Sequence, residues 1–261
     1  MIGGKTQKEL HSYVSCAGCA YGEDDYDLEK VKEVVRYCKD EGFAGAKWYV
    51  NSGPNDGLAG KKKLYGLFAA AREAAGDDFR IMCDCVCAWD LAYAKEMTRA
   101  LADLDLFWIE EPLMPHQADS YAELKRCSGI PVAAGEHLMS RWDWKRYIDK
   151  DALDIYQPDV VFCGGISEVL KIMPLLGIFD KQAAFHHGIN PNVTRHISAV
   201  YPPNLVILSE YLINLAPKDQ YFCKYPAIPE NGMYTLPDAP GVSLDIDESK
   251  VLNDWLIDLT V

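Results

Sequence analysis

The 261 residues include 39 acidic and 26 basic side chains, a net charge of −13, with 49% hydrophobic and 25% charged positions. That balance can build a large core and excludes wholesale disorder, while the acidic excess argues against nucleic acid and anionic membranes as partners. No apolar run reaches the ~20 residues of a membrane-spanning helix and Met-Ile-Gly-Gly-Lys-Thr-Gln-Lys has no signal-peptide core, so a soluble cytoplasmic protein is expected.

In chain order, the first strand is predicted at Ser12–Cys16, ahead of Cys16-x-x-Cys19. A helix follows over Asp27–Glu41, where Leu28, Val31, Val34, Val35 and Cys38 recur on one face; Asp27 is placed to cap its start and Gly42 its end. Strand Ala44–Val50 leads to helix Lys61–Ala75, strand Phe79–Cys85 to helix Leu91–Leu101, and strand Phe107–Glu110 to helix Asp119–Arg126. Strand Pro131–Gly135 precedes helix Arg141–Asp149, and strand Ala152–Gln157 precedes helix Ile166–Leu176. Strand Gln182–His186, helix Asn192–Val200 and strand Asn204–Ser209 complete the series.

Eight strands alternating with helices predict an α/β fold with a parallel sheet covered on both faces. With no long linker between halves, a closed (β/α) barrel over residues 1–217 is favoured over an open sheet. No glycine-rich phosphate loop follows any strand; Cys163-Gly164-Gly165 lacks the required spacing. From Lys218 the chain becomes rich in Pro and Tyr, which predicts an extended meander over 218–261 that packs on the barrel and ends in a short helix around Leu252–Leu259.

Nine cysteines, odd in number and scattered, do not form a disulfide framework. Cys83 and Cys85 sit on a strand face opposite Asp84, where thiols pack as small hydrophobes. Reduced, buried cysteine fits a reducing compartment.

Six strands run into an ionisable group at their C-terminal edge: Asp84, Glu110, Glu136, Asp159, His187 and Glu210. Successive intervals of 26, 26, 23, 28 and 23 residues are each about one strand–helix unit, so all six reach one rim, where barrel enzymes place their chemistry. Asp84, Glu110 and Glu136 on consecutive strands must repel or share a cation. Oxygen-only ligation selects a hard ion, Mg²⁺ first, with Mn²⁺ or Ca²⁺ behind it. Lys47 is the nearby positive group able to receive an acid. Asp159 can hold a neighbouring imidazole in one tautomer, giving a base that becomes an acid once protonated. His187 and His186 compete for that place, and strand parity alone does not choose between them. Tyr21, Tyr49, Trp89 and His137 are candidates to line a pocket.

These stretches resemble the enolase superfamily, in its mandelate-racemase-like branch and nearest the rhamnonate-dehydratase kind of acid-sugar dehydratases. The resemblance rests on Ala46-Lys47, Met82-Cys83-Asp84-Cys85, Trp108-Ile109-Glu110-Glu111-Pro112, Gly135-Glu136-His137, Gln157-Pro158-Asp159 with Cys163-Gly164-Gly165, His187-Gly188 and Pro240-Gly241-Val242. It implies a TIM-type (β/α)7β barrel with Asp84, Glu110 and Glu136 holding Mg²⁺ to stabilise an enediolate. It also implies an Asp159–His187 acid/base dyad, the following glycine favouring His187, with Lys47 and Glu210 beside the substrate carboxylate.

The chain departs from the branch in two places. Racemases carry Lys-x-Lys on the second strand, and here the match is Lys47-Trp48-Tyr49. Inverting a stereocentre needs a base on each face, whereas one histidine can run an elimination, so the expectation is a hydro-lyase giving a 2-keto-3-deoxy acid. A racemase or epimerase, or a barrel impaired in turnover, is the alternative. The N-terminal capping domain of the family is expected to be absent, leaving a homo-oligomer neighbour or a separate capping polypeptide to close the mouth over a small sugar acid.

Overall fold

The alternation read from the sequence becomes a closed ring of strands in the computed structural model, which describes residues 2–16, 19, 26–188 and 191–252. Strand β1 (Glu9–Ser15) is followed by α1 (Leu28–Asp40), β2 (Gly45–Tyr49), α2 (Gly57–Ala75), β3 (Arg80–Asp84), α3 (Leu91–Ala100), β4 (Trp108–Glu110) and α4 (Ala118–Cys127). Then come β5 (Val132–Ala134), α5 (Arg141–Asp149), β6 (Ile155–Tyr156), α6 (Ile166–Ile178), β7 (Gln182–Phe185), α7 (Pro191–Ser198), β8 (Val206–Leu212) and the one-turn α8 (Ala216–Asp219). Each strand from β2 to β8 pairs in parallel with the next, and β1 pairs in parallel with both β8 and β2, so the sheet closes. Seven helices alternate with eight parallel strands, the (β/α)7β arrangement.

Local chemistry sets the elements. Asp27 accepts the Lys30 backbone N–H at 3.2 Å and so starts α1, while Gly42, at φ +79°, turns the chain out just beyond its end. Val31, Val35 and Cys38 on the covered face of α1 are buried. None of the nine cysteines is in a disulfide, and Cys83 and Cys85 lie 3.7 Å apart on the helix-facing side of β3.

The period of two divides the sheet into two cores. Outward residues meet the helices. Inward residues Tyr13, Met82, Trp108, Ala133, Ile155, Ala184 and Leu208 fill the barrel as a separate buried cluster. One inward step further along the same strands stand Asp84, Glu110, Gln157, His186 and Glu210, and the inner cluster is therefore the floor of the rim.

The tail does more than lie on the barrel. Strand β9 (Met233–Thr235) pairs antiparallel with β1, with Leu10 opposite Tyr234, and the buried Tyr234 donates its hydroxyl to the Glu210 carbonyl at 2.8 Å. Three residues are too short to show an alternation, which is why the sequence reading has no strand there. The helix expected around Leu252–Leu259 falls outside the described residues, apart from Leu252 itself. Among the described residues, no helix is long and apolar enough to cross a membrane.

Candidate active site

His186, not His187, meets Asp159. Ala184 faces the lumen, so parity carries His186 inward and sends His187 to the outer face, where its ring lies 5.3 Å from that of Tyr234. His186 Nδ1 is 2.7 Å from Asp159 Oδ2, and a backbone bridge joins the two residues. The expected Asp159–His187 pairing is corrected on that ground. Ala183 and Phe185 alternate outward with the helix-facing core while Ala184 joins the inner cluster, which fixes the parity.

Asp159 is held rigidly: Oδ1 accepts the backbone N–H groups of Val161 and Phe162 at 2.7 and 2.9 Å, and Oδ2 also accepts that of Gly188 at 3.3 Å. Burial pushes its carboxyl up, but His186 and those N–H groups outweigh burial and hold it below the usual range. On the other side of the ring, His186 Nε2 lies 2.9 Å from Glu136 and 3.6 Å from Glu210. Burial disfavours the imidazolium, yet Glu210, Asp159 and Glu136 together raise the ring well above its ordinary value.

Glu136 reaches that position because Gly135, at φ +141°, breaks the strand alternation. A Cβ on Gly135 would come within 2.7 Å of the Trp144 ring and 3.0 Å of the Gln157 nitrogen, so only glycine makes this turn.

Lys47, expected beside the substrate carboxylate, is engaged by the acids themselves. Its partner in the register is Met82 rather than Asp84, which faces Tyr49. Lys47 therefore starts one layer below the rim and its fully buried ammonium rises among the acids from beneath. It contacts Asp84 at 3.1 Å, Glu210 at 3.0 Å, and Glu110. Glu210 also accepts the His187 backbone N–H at 3.1 Å; burial pushes it up, but Lys47 and His186 bring it down to about 2. It too is wholly enclosed.

Glu110 is oriented by groups the sequence reading missed. Trp108 Nε1 and Gln157 Nε2 both donate to its Oε2, at 2.9 and 2.6 Å. Each stands two residues before a rim acid, which was the available sign. Of the residues expected to line a pocket, Tyr49 stands level with Asp84 and His137 is exposed on the rim, while Trp89 is buried with its indole N–H on the Ser52 carbonyl. Tyr21 lies outside the described residues.

The expected metal ligands share the rim without meeting at one point. Asp84, Glu110 and Glu136 do not bring their oxygens within 4.8 Å of one another; among the described residues only Cys87, Glu111 and His137 do so. The physical reason is that the nearest cations have taken them, Lys47 holding Asp84 and Glu110, and His186 holding Glu136. The donor chemistry still fits a hard divalent ion. Five carboxylates (Asp84, Glu110, Glu136, Asp159, Glu210) face two cations (Lys47, His186), an excess of three negative charges when all are ionised. Burial first, and mutual repulsion after it, raises the carboxyls of Asp84 and Glu110 above their usual range. A cation delivered to this rim would relieve both.

His187 offers a separate test of the side-chain placement. Neither ring nitrogen has a hydrogen-bond partner among the described residues, and burial drives the ring down to about 3. Its ordinary value is about 6.5, so below that pH the unfolded chain takes a proton that the folded chain refuses, and stability falls as pH drops. From pH 6.5 to 5.0 the His187 share of the loss should be about 1.6 kcal/mol. The raised carboxyls of Asp84 and Glu110 act with the opposite sign and the lowered His196 with the same sign, so the His187 share is read as the difference between the parent and a His187 variant. In urea unfolding, His187→Leu should flatten this acid slope; an unchanged slope would place the ring elsewhere.

Three comparisons bear on this geometry. A family described as enolase C-terminal domain-like matches residues 29–250. The L-rhamnonate dehydratase of Saccharopolyspora erythraea is 30% identical over 253 residues, covering 95% of this chain and 60% of that enzyme. This chain thus spans about three-fifths of the length of that curated relative. An enolase-superfamily member from Salmonella Typhimurium superposes with a TM-score of 0.86 at 27% identity, covering 95% of this chain and 68% of the other. A Streptomyces coelicolor racemase with bound magnesium gives 0.80 at 26% identity, covering 94% and 63%.

Proposed function

The chain belongs to the enolase C-terminal domain-like family, and from that premise we propose that it is a magnesium-dependent dehydratase converting a sugar acid, an aldonate or aldarate, to a 2-keto-3-deoxy acid. The observation that carries the reading is a single braced imidazole: His186 on Asp159, with Nε2 facing the acid rim. Tyr49 stands where the racemase-like relatives carry a second basic residue, so only one face of a substrate meets a base.

Asp84, Glu110 and Glu136 would hold the divalent ion once Glu136 and Lys47 yield their present contacts. Such an ion supplies positive charge to the substrate carboxylate as charge builds on it. His186, neutral and with its Nδ1–H kept on Asp159, removes the proton from the carbon next to the carboxylate through Nε2. The electron pair left behind forms the carbon–carbon double bond and expels the neighbouring hydroxyl, which takes a proton from the His186 imidazolium and leaves as water. The enol then becomes the keto acid. Lys47, rising from beneath the rim, offsets the charge of Glu210, which stands 3.6 Å from His186 Nε2.

The L-rhamnonate dehydratase relative supports a sugar acid as substrate and the lyase class. Nine cysteines with no disulfide among them support a reducing cytoplasm as the site of action. We place a homo-oligomer neighbour or a capping polypeptide over the mouth, which must exclude water during proton transfer. The test is the chain incubated with Mg²⁺ and a panel of aldonic and aldaric acids, with 2-keto acid as the readout. At least one acid should yield it; no product from any acid, with folding verified, would refute the reading.

A further inference from the structure

A second constellation lies beside the acid rim, where His137 Nδ1 stands 3.5 Å from Glu136, and its side chains take no step in the reaction above. Past the ends of β3, β4 and β5 the chain presents Cys87, Glu111 and His137, whose ligand atoms all lie within 4.8 Å of one another. Glu111 is buried, only 3% exposed, and its Oε2 meets both the Cys87 thiol at 3.2 Å and His137 Nδ1 at 2.7 Å. The frame is fixed by the Cys87 N–H on the Glu111 carbonyl at 2.7 Å, with both residues in the left-handed region at φ +56° and +37°.

We propose that Cys87, Glu111 and His137 form a binding site for a zinc-class divalent ion, separate from the oxygen-lined rim. One sulfur, one nitrogen and one oxygen donor make a set that prefers zinc, cobalt or ferrous ion to magnesium. Zinc–ligand bonds of about 2.0–2.3 Å put neighbouring donors roughly 3.3–3.7 Å apart in a tetrahedron. The two Glu111 contacts need to open by less than an ångström, and Cys87 and His137, within 4.8 Å of each other, adjust to the same spacing. The thiol proton passes to solvent as the Cys87–zinc bond forms, the imidazole binds through Nδ1, and the exposed His137 side leaves the fourth position to water. A nucleophilic relay fits less well, because thiol and imidazole both bond the carboxylate rather than each other.

The experiment uses the full chain in excess Mg²⁺, titrated with zinc alone by calorimetry and with cobalt alone by absorbance. One equivalent of zinc should bind, and cobalt should give a thiolate charge-transfer band in the near ultraviolet. Cys87→Ser should abolish the band, and Cys87→Ser and His137→Asn should each weaken zinc binding by at least about a hundredfold, each removing one of three bonds. A Cys16→Ser/Cys19→Ser variant, altering the Cys-x-x-Cys thiols near the N-terminus, should leave both signals intact. A band that survives in Cys87→Ser, zinc affinity unchanged in both single variants, or no zinc binding to the parent chain would overturn the proposal. Because no sugar acid is present, failure here leaves the dehydratase reading untouched, and success does not depend on it.

Discussion

Replacing His186 with asparagine is expected to lower turnover on the accepted sugar acid by about three orders of magnitude, with little change in KM. Asparagine can still donate to Asp159, so the rim keeps its shape, but it cannot accept the α-proton or return one. The loss should appear equally in kcat and kcat/KM, the mark of an interaction made only in the transition state. His187→Leu is the matched control. That ring faces Tyr234 on the outside of the sheet, and its removal should leave turnover within a few-fold. Steady-state kinetics on both variants decide the assignment: if His187→Leu lost activity while His186→Asn kept it, the parity reading of β7 would be wrong.

The second large effect separates function from stability within the acid cluster. Chelating divalent ions should abolish turnover, and Asp84→Asn should lower it by about a thousandfold even in saturating Mg²⁺, roughly 4 kcal/mol of lost charge stabilisation. The same substitution should not weaken the fold of the metal-free chain, because burial and Glu136 already disfavour a charge on Asp84. Lys47→Met should do the reverse to stability. It strips the fully buried cation from Asp84, Glu110 and Glu210, and leaving such a cluster unpaired costs about 3–5 kcal/mol. Saturating Mg²⁺ should recover part of that loss, since a divalent ion replaces the missing charge. Urea unfolding with and without Mg²⁺ measures all of this; a Lys47→Met chain as stable as the parent would refute the electrostatic account of the rim.

How far the sequence led is clearest on individual strands. The alternation of eight strands with helices was enough for the barrel, and the spacing of strand ends pointed to a shared rim, although His187, counted in that series, turns to the outer face. Direction within the rim was harder. Choosing between His186 and His187 needed the register of β7, which follows from Ala184 facing the lumen. The depth at which Lys47 starts was not legible, because register, not sequence, sets it beside Met82. The hold of Trp108 and Gln157 on Glu110 depends on side chains converging from different strands, which spacing along one strand does not report. Strand β9 is three residues long and owes its place to β1, its partner far along the chain.

A crystal grown with Mn²⁺ in place of Mg²⁺, read by anomalous scattering, would locate the ion outright. The account expects one peak within about 2.3 Å of oxygens from Asp84, Glu110 and Glu136, with Lys47 withdrawn from Asp84 and Glu136 released from His186. Manganese absent from the rim, or found there bound without these three carboxylates, would contradict it.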